Sequence, residues 1–255
     1  MTANISTVLV VGATGSVGCL VVEEALREGY QVRALVRNES SAAKLAPQAL
    51  PVVGDLTRPQ TLSAAVQDVD AIIFTHGSAE GRAAADVDYG GVRNVLQALG
   101  GREARIALMT LVGATNPKGY GPAVWKRRSE RLVRASGLPY TIVRPGWFDY
   151  NDADQLQLVA RQGDTLWHGG PGDGVVSRRQ IAQVLVHSLS LASADHKTLE
   201  LDSERGPATA DFDAFFAPLE ADLPQSLDGV RDRQSQPLEA EPQQVREDLE
   251  RIARP

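Results

Sequence analysis

The chain has 255 residues, of which 43% are hydrophobic and 23% charged, the usage of an ordinary globular protein long enough to bury a core without disulfides or metal. Its net charge of −6 argues against a nucleic-acid binder or a membrane-surface protein that works through bulk positive charge. A single cysteine, Cys19, excludes an internal disulfide framework and cysteine-rich zinc sites, and with no stretch that reads as a leader or a membrane span it points to the reducing cytoplasm.

The first half alternates short apolar runs with longer helical patterns. Thr7–Val11 is a continuous apolar run, the mark of a strand buried on both faces. Ser16–Glu28 carries one apolar stripe at helical spacing (Val17, Leu20, Val21, Ala25, Leu26), with Gly29 placed to end it. Strands are predicted at Gln31–Arg37, Leu50–Val53, Ala71–Phe74, Arg105–Thr110 and Tyr140–Arg144. Helices are predicted near Ser40–Leu45 and over Thr61–Val66, Ala83–Leu99 and Pro122–Ser136. Strand and helix in strict alternation predict an α/β fold, a doubly wound parallel sheet covered on both faces.

After Tyr150 the pattern changes. Asp152–Arg161 reads as helical, Gly169–Gly174 as a loop, Ser177–Leu191 as a helix capped by Ser177, Thr198–Leu201 as a strand and Phe212–Phe216 as a short helix. Residues 219–255 are polar, with nine acidic and five basic side chains, and Gln243–Ala253 has a helical pattern. This tail either docks or is partly disordered; Leu227, Val230, Leu238, Val245, Leu249 and Ile252 favour docking. Whether it covers a pocket, mediates a homodimer or does neither stays open at this level. The division expected is 1–150 for a nucleotide-binding part and 151–255 for a small C-terminal substrate lobe with the acidic tail.

The most informative stretch is Gly12-Ala13-Thr14-Gly15-Ser16-Val17-Gly18, which follows the first strand and opens the first helix. Gly12 permits a tight turn, Gly15 lets backbone approach a pyrophosphate, and Gly18 lets the helix pack on the sheet. A helix N-terminus then offers free N–H groups to the anion, with Thr14, Ser16 and Val17 lining it. The second strand ends without Asp or Glu, where a dinucleotide-binding carboxylate would hold ribose hydroxyls; Arg37 stands there instead and matches a 2′-phosphate. The cofactor expected is therefore NADP(H). Asp55 and Leu56 end the third strand beside the adenine, or Asp55 merely caps the next turn. Thr75, His76 and Gly77 end the fourth strand, where backbone should run beside the cofactor; His76 either lines the nicotinamide ribose or is a bystander.

Several further segments resemble the atypical short-chain dehydrogenase/reductases, in particular the NmrA-like NAD(P)H-binding group. They are GATGSVG, ALVRN at Ala34–Asn38, VVGDLT at Val52–Thr57, DYGGVRNVLQAL at Asp88–Leu99, LMTLVGAT at Leu108–Thr115 and SGLPYTIVRPGWF at Ser136–Phe148. The resemblance implies a Rossmann-type fold with NADP(H) along the carboxyl edge of the sheet, and covers about the first 150 residues. It also implies a Ser and a Tyr-x-x-x-Lys catalytic group. Lys126 occupies the lysine position, but Pro122 stands four residues before it and Tyr120 is out of spacing. On the fifth strand Thr110 keeps a hydroxyl while Leu111 replaces the serine. Lys126 is thus expected to orient the ribose, with Thr110, Tyr120 or His76 assisting.

Pro145 and Gly146 end the sixth strand against the nicotinamide, and Trp147 and Phe148 either wall a substrate pocket or pack the lobe onto the sheet. Lys126, Arg127, Arg128, Arg131 and Arg134 make a basic stretch on one helix, which either attracts phosphates or, for all but Lys126, reads as a solvated face with Lys126–Glu130 and Glu130–Arg134 pairs at i,i+4. His168, His187 and His196 lack ligand spacing, so no metal is expected. Two functions follow: hydride transfer from NADPH to a small quinone, flavin or carbonyl, or a non-catalytic NADP(H) sensor that regulates a partner.

Overall fold

The computed structural model describes residues 5–78, 83–119 and 121–253. Eight strands form one sheet in the order β3-β2-β1-β4-β5-β6-β10-β8. In chain order they are β1 (Thr7–Val11), β2 (Gln31–Val36), β3 (Leu50–Val53), β4 (Ala71–Phe74), β5 (Arg105–Met109), β6 (Tyr140–Pro145), β8 (Gln157–Arg161) and β10 (Lys197–Glu204). All neighbours are parallel except β8 on β10. A small second sheet pairs β7 (Trp147–Phe148) with β9 (Val175–Val176). The strand order reverses between β1 and β4, which opens a crevice at their carboxyl ends.

Helices α1 (Gly18–Arg27) and α4 (Arg178–His187) cover one face; α2 (Gly90–Leu99), α3 (Gly121–Ala135) and α6 (Gln243–Ile252) cover the other, and α5 (Phe212–Phe216) packs with the first group. The strands alternate their side chains between the two cores: Val8 and Val10 face α1, Leu9 and Val11 face α2. Ser177 caps α4 with a reciprocal capping box to Gln180.

Two expectations fail locally. Thr61–Val66 is turn, with a single 3₁₀ turn at Pro59–Thr61, whereas the short helix expected near Ser40–Leu45 is present as 3₁₀ helix over Glu39–Lys44. Asp152–Arg161 is not helical: its second half is β8, an edge strand whose apolar residues, Leu158, Val159 and Ala160, are too few for a period to separate strand from helix. The long helix after β4 begins with a π-helical segment, Ala84–Tyr89, before α2.

The larger correction concerns the arginines of α3. They are not a solvated face. Arg127, Arg131 and Arg134 are buried, and the tail lies over them. Arg127 pairs with Asp228 at 2.8 Å and with Asp232; Arg128 and Arg131 share Glu241 at 2.7 and 2.8 Å; Arg134 meets Asp222 at 3.1 Å. From β6, Arg144 joins Glu130, Asp232 and Glu200 at 2.7, 2.7 and 3.2 Å. Burial alone would raise the Glu130 carboxyl, but Arg144, Arg134 and Arg127 outweigh it and hold it at about 2. Val245, Leu249 and Ile252 of α6 complete the second core, so the tail docks.

Breaking a buried charge pair typically costs about 3–5 kcal/mol, because the partner is left uncompensated. Asp232→Asn should therefore lower the urea midpoint by an equivalent amount, whereas Asp152→Asn, which touches only an exposed pair with Arg205, should cost under about 1 kcal/mol. Burial pushes Glu200 up to about 7 despite Arg144. A carboxyl raised in the folded state stabilises below its unfolded pKa and loses that contribution as pH rises through its folded value. The stability of Glu200→Gln relative to the native chain should rise between about pH 5 and 8; a constant difference in urea titrations would contradict this.

Candidate functional site

The crevice at the carboxyl ends of β1–β4 is a cleft of about 790 Å³. Gly12, Thr14, Gly15, Ser16 and Val17 line one side, Arg37, Asp55 and Leu56 another, and Thr75, His76 and Gly77 a third. Most of the expected nucleotide-binding residues therefore converge on one space. Gly18 stands just behind it.

The turn has no room for side chains. A Cβ on Gly12, whose φ is +89°, would lie 2.6 Å from the His76 backbone nitrogen, and one on Gly18 would lie 2.0 Å from the Gly12 carbonyl. The start of α1 is thus pressed onto the turn, leaving a cradle that a Cβ would fill. At the far end Arg37 is exposed and has no ion-pair partner among the described residues, and Ser41 and Lys44 line the cleft with it. Lys44 and Ser41 were not evident in the sequence; the 3₁₀ turn capped by Asn38 brings them round. Asp55 accepts from the Thr57 backbone and hydroxyl at 2.9 and 2.8 Å, which lowers its pKa, and still lines the cleft. Asp55 therefore caps the following turn and also borders the cleft.

His76 is buried with neither ring nitrogen partnered, and Phe74 stands edge-on to the ring at 5.7 Å. Burial, then the Lys126 cation, drops its pKa to about 4, so the imidazole is neutral. Lys126 Nζ donates to the His76 carbonyl at 2.7 Å and pairs with Asp88 at 3.1 Å. Burial lowers the Lys126 pKa, and Asp88 opposes that shift. Asp88, which also accepts from the Ser78 hydroxyl at 2.7 Å, lies in the π-helical segment. Sequence reading missed it because a one-residue widening of a helical turn leaves no mark on periodicity.

Beside the cleft lies a second cavity of about 450 Å³, lined by Leu111, Pro145, Gly146, Trp147, Phe148, Tyr150 and Trp167 among others. Phe148 lines both spaces. Trp147 and Phe148 also form β7 and pair with β9, so walling and packing coexist. Trp167, stacked beneath Arg233 at 5.0 Å, precedes the glycine-rich loop and was not singled out from sequence. The loop after β5 is pinned by the buried Asp164, which accepts from the Gly113 and Thr115 amides at 2.6 and 2.7 Å.

Thr110 departs from its expected role. Its hydroxyl donates to buried Glu130 at 2.8 Å, and the residue lines neither cavity. Tyr120 lies outside the described residues. His187, which lacks ligand spacing in the sequence, meets Glu24 and Glu28 between α1 and α4, where Glu24 is already paired with Arg27.

The comparisons agree with this geometry. The model of the NAD(P)H-binding family matches residues 12–191, and the chain belongs to that family. It is 26% identical to a sanguinarine reductase of Eschscholzia californica over 83% of this chain and 95% of that one. Among solved structures, a putative NAD-dependent epimerase/dehydratase from Bacillus halodurans superposes with a TM-score of 0.71 at 25% identity, over 84% of this chain and all of that one. An anaerobillin reductase from Escherichia coli O157:H7 gives 0.62 at 27% identity, over 80% of this chain and all of that one. The site is that of a Rossmann-type protein built for a nicotinamide nucleotide. Among the described residues no helix is long and apolar enough to cross a membrane.

Gly12→Ala should destabilise the fold by about 1–3 kcal/mol, the usual cost of forced backbone strain, and abolish nucleotide binding measured by calorimetry. Gly172→Ala, with nothing within 4 Å of its Cβ, should change neither.

Proposed function

We propose that the chain is an NADPH-dependent oxidoreductase of the atypical, NmrA-like short-chain type, acting on a small organic acceptor such as a quinone, flavin or conjugated carbonyl in the cytoplasm. The observation that carries this reading is the aromatic cavity that opens beside the nucleotide cleft and shares Phe148 with it. Two relatives carry reductase names, which supports reduction as the reaction class.

The residues fit the cofactor. The Gly12–Gly18 turn would hold the diphosphate, and Arg37, with Ser41 and Lys44, the 2′-phosphate. Asp55 and Leu56 would meet the adenine, and Pro145 and Gly146 the nicotinamide end. When bound, the nicotinamide supplies a hydride. Thr75 to Gly77 would form the cleft wall beside the ribose; Lys126, expected to meet the cofactor, is buried behind Gly77, held by Asp88 and the His76 carbonyl, and lines neither cavity, so it would act on the ribose only past that wall. Trp147, Tyr150 and Trp167 would hold a flat acceptor by stacking while excluding water. On this reading residues 1–150 would supply most of both spaces, with Trp167, Gly169, Asp173 and Arg178 closing the aromatic cavity from the 151–255 part, whose β8 and β10 extend the same sheet.

Pro122 and Leu111 replace the acid pair of the active short-chain enzymes. The acceptor's proton then comes from water, which suits quinones and flavins more than simple aldehydes or ketones. The same two replacements favour a second reading, an NADP(H) sensor. A panel of quinones, flavins and aldehydes separates the two: the reductase oxidises NADPH with at least one member, whereas NADPH binding with no turnover on any member assigns the chain to sensing.

Arg37→Ala should weaken NADPH about 10- to 150-fold, the equivalent of lost charge-assisted bonds worth about 1.5–3 kcal/mol, and leave NADH within about threefold. Equal weakening of both, by calorimetry, would remove the preference for NADPH. Lys126→Ala should lower turnover with cofactor affinity far less affected.

A further inference from the structure

Arg178 stands at the first position of α4, 162 residues along the chain from the glycine turn, yet its Nε donates to the Ser16 hydroxyl at 3.1 Å. Its placement is over-determined. The Arg178 backbone N–H donates to Asp149 Oδ1 at 3.0 Å, and its NH1 donates to Asp149 Oδ2. Asp149 has a φ of +58°, a left-handed conformation seldom taken by a non-glycine residue, so local strain accompanies this clamp. The guanidinium lies over the Phe148 ring at 5.3 Å, and the neighbouring Arg179 pairs with Glu23 at 3.3 Å, which holds the start of α4 against α1.

The guanidinium nevertheless has donors to spare. Nε serves Ser16 and NH1 serves Asp149, while NH2 has no partner among the described residues. The side chain is 33% exposed, so a ligand can reach it. It lines the aromatic cavity, and Ser16 lines the nucleotide cleft. A planar cation held at the lip of an amide-lined turn is matched to an anion with several oxygens.

We propose that Arg178 is a diphosphate-binding residue of the nucleotide cleft, supplied from the C-terminal half and aimed by Asp149. The proposal rests on the NADP(H) reading above. It makes the cofactor's central phosphates the point where both halves of the chain are gripped: the turn from one side, a guanidinium from the other. It also puts a fixed cation between the cofactor and the acceptor cavity.

Calorimetry with two ligands tests it. NADPH carries the diphosphate; adenosine 2′-monophosphate keeps the adenine and the 2′-phosphate and lacks the diphosphate. Arg178→Ala should weaken NADPH about 10- to 100-fold and leave adenosine 2′-monophosphate within about twofold. Arg178→Gln, which keeps the reach to Ser16 and loses the charge, should show the same pattern if the alanine variant folds poorly. The salt dependence of NADPH binding should also become shallower in either variant. Unchanged NADPH affinity, or equal loss of both ligands, would overturn the proposal, the latter by assigning Arg178 a purely structural role. Failure of the native chain to bind either ligand would instead overturn the cofactor reading on which it rests.

Discussion

The constraint on which the rest depends is the absence of side-chain space at the first strand-to-helix turn. Gly18 sits against the Gly12 carbonyl, and Gly12 sits against the backbone of His76. These two contacts bring the N-terminus of α1, the end of β1 and the end of β4 into one small region. The unpaired amides of the turn and the wall made by Thr75–Gly77 then face the same crevice. Any larger residue would push the helix off the sheet and separate the groups that the nucleotide has to meet at once.

A second constraint acts from behind. The carboxyl end of β6 carries Arg144, and the fold neutralises it entirely within the protein, through Glu130, Glu200 and Asp232. The same network holds Thr110 through Glu130, and Glu200 accepts from the Asp164 amide at 3.0 Å. Asp164 in turn fixes the loop that floors the aromatic cavity. Tail residues enter this chain of contacts directly: Ser235 donates to the Thr115 carbonyl at 2.8 Å. The acidic tail is therefore a structural counterpart of the basic helix and helps set the shape of the aromatic cavity.

What was legible in the sequence followed from local physics. Continuous apolar runs marked the buried parallel strands, and the glycine spacing marked the turn, because both signals need only a few adjacent residues. Arg37 was legible because the end of β2 lies at a known distance from the turn. The α3 arginines were misread because i,i+4 charge pairs look the same on a solvated face and beneath a docked tail; their partners Asp228, Asp232 and Glu241 lie roughly a hundred residues away. Asp164 and Arg178 escaped for a related reason, since each acts across the chain on a residue with which it shares no local pattern. β8 escaped because a short edge strand with three apolar residues has no readable period.

The family places a nicotinamide nucleotide in the cleft, and the Arg37 guanidinium is proposed to prefer the 2′-phosphorylated form. The central claim is tested most directly by titrating the purified, unmodified chain with NADPH and with NADH in a calorimeter at one ionic strength. The account predicts saturable one-to-one uptake of NADPH, at least tenfold tighter than NADH. No heat of binding from either form, or a preference for NADH, would contradict it.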